Sequence, residues 1–419
     1  MDRLSISRER LWSRLEELGA IGAYHDEVAD LVGVRRLALS DEDRAGRDKV
    51  TGWMRDLGLE VSVDRIGNIY AQRAGRDMSL APVMFGSHVD SVPTGGRFDG
   101  ALGVLGALEV VETLNDAGVI TRRPLVVGAF TDEEGCRFGL DMLGSAVATG
   151  RVSLEQAYAL RDRDGLSVGD ELARIGYRGE ERENQRRPWA YVEVHVEQGP
   201  TLIREGVDIG VVTKVQSISW QELTITGRAA HAGATPTAYR VDAGLAAARI
   251  NVRLREMVDS GGFGELRATM GVHRPHPGFV NVIPGRYVAT VDMRNPDDGH
   301  MAAAEAALQR YIAELEAATP GLSITTRRMA RTEVVPFAPR VQDAVERAAT
   351  ARGLSNRRLF AGAGHDAQEW AHVCDAGMIF VPGEYDGISH NPREYSTSKQ
   401  CGDGIDVLLD VVRALADEE

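Results

Sequence analysis

The chain has 419 residues, more than one compact core usually holds, so two domains are expected. A hydrophobic fraction of 43% and a charged fraction of 26% fit a folded globular protein and exclude a disordered one. The net charge of -14 argues against a nucleic-acid partner, and no apolar run approaches the ~18 residues that would span a bilayer.

Leu11, Leu15 and Leu18 recur at helical spacing and predict an amphipathic helix over 7–20. A second helix is expected over 40–57, with Ser40 as N-cap, Glu42 and Asp43 in its first turn and Gly58 as its stop. Short strands follow at 59–63 and 67–72. The apolar run 82–87 reads as a buried strand ending at His88, residues 101–118 as a helix packed on a sheet, and 124–131 as a second buried strand. Strand, helix, strand is the unit of a mostly parallel sheet, whose sites lie at the carboxyl ends of strands. Residues 150–188 are charge-rich and read as an exposed excursion, after which 189–194 resumes as strand and leads to His195.

The pattern changes near Lys214. Residues 215–227 alternate as a half-exposed antiparallel strand does, with helices at about 237–258 and 298–318 and strands near 266–273, 286–293 and 322–328. That makes a small α+β domain, 214–330, inserted into an α/β domain of 1–213 and 331–419. The second part of the α/β domain holds a helix over 340–352, a strand near 376–381 and a final helix over 398–416. Cys136, Cys374 and Cys401 are odd in number and form no CxxC pair, which fits a reducing compartment. The first residues carry no signal-peptide apolar core, so the expected location is the cytoplasm.

Three motifs end strands of one apparent sheet: His88 with Asp99 eleven residues on, then Glu133-Glu134, then His195. Imidazole and carboxylate are zinc ligands, with manganese or cobalt as oxygen content rises. A two-metal site needs a carboxylate that bridges ions ~3.5–4 Å apart and another that takes a proton from water. Adjacent glutamates at a strand end point in different directions, so one can ligate while the other acts as base. Taken singly, each residue has a plainer reading: His88 a structural histidine, Asp99 a turn residue or helix cap, Glu133-Glu134 a solvated loop.

The ordered motifs Gly86-Ser87-His88-Val89-Asp90, Gly95-Gly96-Arg97-Phe98-Asp99-Gly100, Thr131-Asp132-Glu133-Glu134-Gly135, Glu193-Val194-His195-Val196-Glu197-Gln198-Gly199-Pro200, His231-Ala232-Gly233, Gly362-Ala363-Gly364-His365-Asp366 and Gly387-Ile388-Ser389-His390-Asn391-Pro392 carry a resemblance. The chain resembles the M20 family of metallopeptidases and amidohydrolases. Within it, the likeness is to the branch of N-carbamoyl-L-amino-acid hydrolases, β-ureidopropionase and allantoate amidohydrolase. His195 stands where peptidases of the wider family usually have a carboxylate, which favours the amidohydrolase branch.

The resemblance implies two divalent ions per subunit, one held by His88, Asp99 and His195, the other by Asp99, Glu134 and His390. It implies Glu133 as general base and Asp90 as hydrogen-bond partner of the far nitrogen of His88. From the inserted domain it implies His231 as oxyanion donor, with Asn281 and Arg294 on a substrate carboxylate, while Gln198 meets the carbamoyl end. A homodimer formed through the inserted domain follows as well. The expected reaction is hydrolysis of a linear C–N bond in an N-carbamoyl-L-amino acid. Allantoate hydrolysis, peptide hydrolysis and a catalytically dead binding protein on the same fold are the rival readings. His365 matches a family motif without an assigned role, and His273, His276, His300 and His372 match none.

Overall fold

The computed structural model describes residues 3–418, which divide into two compact units. One unit takes in the chain up to Thr213 and again from Pro336; the other is Lys214–Val335. The antiparallel strand Ser323–Thr332 runs past Arg331, which carries the junction to Pro336 rather than Arg331.

In the first unit a large mixed sheet runs in the spatial order Ile209–Val215, Asp375–Val381, Ala190–Val196, Val83–His88, Leu125–Phe130, Ile69–Arg73, Glu60–Val63. The four strands from Asp375–Val381 to Leu125–Phe130 are mutually parallel, and antiparallel strands flank them. Val83–His88, Leu125–Phe130 and Ala190–Val196 are buried at every position, as the centre of a two-sided parallel sheet requires. Helix Ala101–Asp116 is buried at every position from Ala101 to Val111, which explains why that stretch is apolar save for Glu109, which pairs with Arg10. Helix Ser398–Asp417 is nearly as deep and packs against Ala101–Asp116 and the sheet.

Helices Arg8–Gly19 and Asp41–Asp56 begin after Ser7 and Ser40, whose hydroxyls accept amides of the first turn. The strand expected over 189–194 extends to Val196, so His195 lies inside it rather than beyond its end. The segment 150–188 departs from its reading as an exposed excursion. Ala157, Val168, Leu172, Ile175 and Tyr177 belong to the main core, and helix Val168–Ile175 presents an apolar face inward beneath a charged outer one. Its many arginines and acids had masked that stripe.

In the second unit the sheet order is Arg267–His276, Arg286–Asn295, Ser217–Thr226, Ser323–Thr332, all antiparallel. Burial alternates along Ser217–Thr226, and Leu223 and Ile225 meet Ile250, Met293 and Leu308 in a separate core. The helix expected from 237 starts at Ala243, because the Asp242 side chain accepts the amides of Gly244 and Leu245 and sets the first turn there. No helix among the described residues is long and apolar enough to cross a membrane.

The core position of Leu172 is testable. Leu172→Ala should lower unfolding free energy by ~2–5 kcal/mol, measured by chemical denaturation; a surface residue would cost well under 1 kcal/mol.

Candidate metal centre

Three neighbouring parallel strands bring the histidines and glutamates together. The register sets Val83 opposite Ala190, so His88 falls level with His195, and the two rings are 6.0 Å apart. His88 also pairs with Phe130, so the chain leaving that strand carries Glu133 and Glu134 past the same point. Asp99 arrives from the loop before helix Ala101–Asp116. Gly100, at φ +62, leaves room for this, since a Cβ there would lie 2.3–2.4 Å from the His88 ring atoms. Asp132, Gln198 and His390 hold φ values of 53, 56 and 55, a costly conformation for non-glycine residues that clusters around functional groups.

Asp99 Oδ1 lies 3.5 Å from His88 Nε2 and 3.2 Å from His195 Nε2. Its other oxygen is 3.7 Å from His390 Nε2, which in turn is 3.3 Å from Glu134 Oε2. Both triads, His88–Asp99–His195 and Asp99–Glu134–His390, offer ligand atoms within 4.8 Å of one another, sharing Asp99. His88 Nδ1 faces the Asp90 carbonyl at 3.0 Å and His195 Nδ1 faces the Val196 carbonyl at 2.9 Å. Both Nδ1 atoms therefore carry protons, and both Nε2 atoms turn inward. His88 Nε2, Asp99 Oδ1 and Glu134 Oε1 are buried with no hydrogen-bond partner among the described residues. Buried imidazole nitrogen and carboxylate oxygens left without a hydrogen bond suit a bound cation, and the donor set of imidazoles and carboxylates fits a divalent metal. His195 Nε2 differs, for it already accepts the Gly100 amide at 3.1 Å.

The charge balance says the same. Burial opposes a charge on His88, but Glu133, Asp99, Asp90 and Glu134 overcome it and hold the imidazole well above its usual range. Burial, together with the charges of Asp366, Glu134 and Asp99, pushes Glu133 well above the usual carboxylate range against the pull of His88. The pairing with Glu134 lifts His390 to about 9. The site gathers more carboxylates than its histidines balance.

Glu133 Oε2 stands 3.4 Å from His88 Nε2, on the same side as Asp99. Asp90 does not fill the place expected for it: its carboxylate is 3.8 Å from His88 Nδ1, and its backbone carbonyl makes the bond instead. The reason lies in the following loop, where the Glu133 and Glu134 amides turn toward the Asp90 carboxylate at 3.4 and 3.3 Å. Asp90 thus orients both glutamates through their backbone. Gln198 donates through Nε2 to Asp99 Oδ2 at 2.7 Å and keeps a buried, unpartnered Oε1.

His231, Asn281 and Arg294 belong to the unit Lys214–Val335. The two-residue ladder Ala230–His231 with Val282–Ile283 sets His231 beside Val282, and Ala232 donates its amide to the Asn281 carbonyl at 2.9 Å. His231 is exposed, and its Nδ1 accepts the amides of Gly233 and Ala234, each at 3.1 Å. Nε2 therefore bears the proton and is available as a donor. Arg294, on the sheet strand Arg286–Asn295, is held by both carboxylate oxygens of Asp292 at 3.1–3.3 Å.

Several buried groups near the candidate ligands were left without a definite role by the sequence. Glu193 accepts the Ser87 hydroxyl at 2.6 Å and the Ala367 amide at 2.8 Å, joining the residue before His88 to the turn after His365. Its alternation with His195 along one strand is the only local signal. His365 lies 4.4 Å, ring to ring, from His195 with both nitrogens unpartnered, and Glu394 reaches the Asp99 loop from the far end of the chain.

Gly100→Ala should displace the His88 ring, and elemental analysis after dialysis should find roughly 10- to 100-fold weaker metal retention.

A sequence model described as peptidase family M20/M25/M40 matches residues 84–414. The N-carbamoyl-L-amino-acid amidohydrolase of Rhizobium meliloti is 41% identical over 98% of this chain and 97% of its own. The ureidoglycolate hydrolase of Oryza sativa subsp. japonica is 34% identical over 90% of this chain and 79% of its own. Among solved structures, an amidase of the hydantoinase/carbamoylase family from Burkholderia multivorans superposes with a TM-score of 0.92 at 43% identity, covering 99% of both chains.

Proposed function

Because the chain belongs to peptidase family M20/M25/M40, with amidohydrolases among its full-length relatives, we propose that it hydrolyses the carbamoyl group of N-carbamoyl-L-amino acids. The observation that carries the chemistry is the shared Asp99 carboxylate between two histidine-bearing triads. The net reaction consumes one water and yields the L-amino acid, ammonia and carbon dioxide. The enzyme is metal-dependent, as its family is. Our reading assigns His88, Asp99 and His195 to one ion and Asp99, Glu134 and His390 to another, zinc first and manganese or cobalt next.

Divalent ions so held lower the pKa of a nearby water and polarise a carbonyl oxygen. The chain's own residues do the rest in this proposal. Glu133 takes the proton of the attacking water and returns it to the leaving nitrogen, a part suited to a carboxylate buried beside the candidate ligands, 3.4 Å from His88 Nε2. Gln198, anchored on Asp99, has its free Oε1 to accept an N–H of the carbamoyl end. His231 Nε2–H supplies a donor for the oxyanion, and Asn281 and Arg294 read the substrate carboxylate, with Arg294 exchanging part of its pairing with Asp292. A homodimer through residues 214–335 completes the proposal; the exposed Phe279 and Val280 of that unit suit an interface. Cytoplasmic residence suits its three free cysteines.

Ammonia release from a panel of N-carbamoyl-L-amino acids, run beside allantoate, tests the substrate; turnover of allantoate alone would overturn it. Chelation should abolish turnover, and zinc, manganese or cobalt should restore it. Glu133→Gln should cut kcat about 100- to 10,000-fold while both ions stay bound. Arg294→Ala should raise KM about tenfold or more with little change in kcat, and an equal effect on an uncharged analogue would remove its carboxylate role.

A further inference from the structure

Glu394 lies four residues beyond His390 and is buried, at 7% exposed. Its Oε1 accepts two consecutive backbone amides, those of Phe98 and Asp99, each at 3.0 Å. Its Oε2 lies 2.7 Å from the Ser389 hydroxyl, and that same hydroxyl lies 2.7 Å from Asp99 Oδ2. With both oxygens so engaged, Glu394 is not itself a ligand. The side chain passes directly over Gly96, where a Cβ would sit 2.5 Å from both Glu394 Cβ and Oε1. Thr94 ties the same two stretches once more, donating its hydroxyl to the His390 carbonyl at 3.1 Å.

We propose that Glu394 is a positioning residue for the second ion: it clamps the Asp99 loop to the His390 loop, with Gly96 as the space that admits it. The inference rests on the two-ion reading above. Asp99 and His390 stand almost 300 residues apart in the chain, on loops that no strand pairing among the described residues joins, and the 3.7 Å between their ligand atoms has to be set by something. A carboxylate suits the task, since one oxygen can satisfy two buried amides that would otherwise be unpaired. This also gives Gly96 a physical role that the metal-ligand pattern leaves open.

The test measures zinc and manganese binding by equilibrium dialysis with elemental analysis, on wild type, E394A, E394Q and G96A, with near-ultraviolet circular dichroism as the fold control. E394A and G96A should bind the second ion roughly 10- to 100-fold more weakly. The first ion shares Asp99 but not His390, so it should weaken less than the second. At saturating metal, kcat should fall while KM stays within about twofold. E394Q should keep both ions, because its amide oxygen still accepts the two N–H groups and its amide nitrogen donates to Ser389. Should E394A fail to fold, the contrast between G96A and E394Q carries the test. Two ions at wild-type affinity in G96A or E394A, or losses in E394Q equal to those in G96A, would overturn the clamp. Wild type binding fewer than two ions would instead overturn the two-ion reading itself, and the clamp with it.

Discussion

The Asp99 carboxylate is the constraint on which the rest of the site depends. One oxygen faces His88 and His195, the other faces His390 and takes hydrogen bonds from Gln198 and Ser389. Among the described residues Oδ1 faces His88 Nε2 and His195 Nε2, whose Nδ1 atoms point at backbone carbonyls. A buried carboxylate facing lone pairs is unfavourable unless a cation sits between them. Folding therefore assembles a place that positive charge stabilises.

The sheet makes that arrangement affordable in geometry. Parallel strands in fixed register end side by side, and whatever follows their carboxyl ends is gathered at one edge. His88, Glu133, Glu134 and His195 arrive in this way, from three strands buried on both faces. Asp99 and His390 come instead from loops, whose positions the sheet leaves open. Glu394, which accepts the Phe98 and Asp99 amides, and the Ser389 and Thr94 hydroxyls, which donate, fill that gap. The left-handed backbone at Asp132, Gln198 and His390 shows where the chain bends against its own preference to aim these groups.

Much of this was legible in residues. The apolar run before His88 and the run before Glu133 read as buried strands because a two-sided sheet strand has no polar face to blur the pattern. Ser40 marked its helix through a hydroxyl that caps the first turn. Helix Val168–Ile175 misled, because its buried stripe is short and its surroundings are dense in arginine and acid. Asp90 misled because a carboxylate and a carbonyl of one residue compete for the same nitrogen, and residue type does not say which wins.

The sequence by itself determined the ligand chemistry, the alternating and helical segments, and the ordered motifs that mark the family. These are properties of residue type and short spacing, which need no distant partner to be read. The tertiary structure decided which oxygen of Asp99 meets which histidine, that Asp90 orients the glutamates through their backbone, and that Glu394 closes the site from the far end of the chain. Hydrogen-bond pairing between segments hundreds of residues apart leaves no periodic trace in sequence; it exists only once register and loop geometry have brought the atoms within about 3 Å.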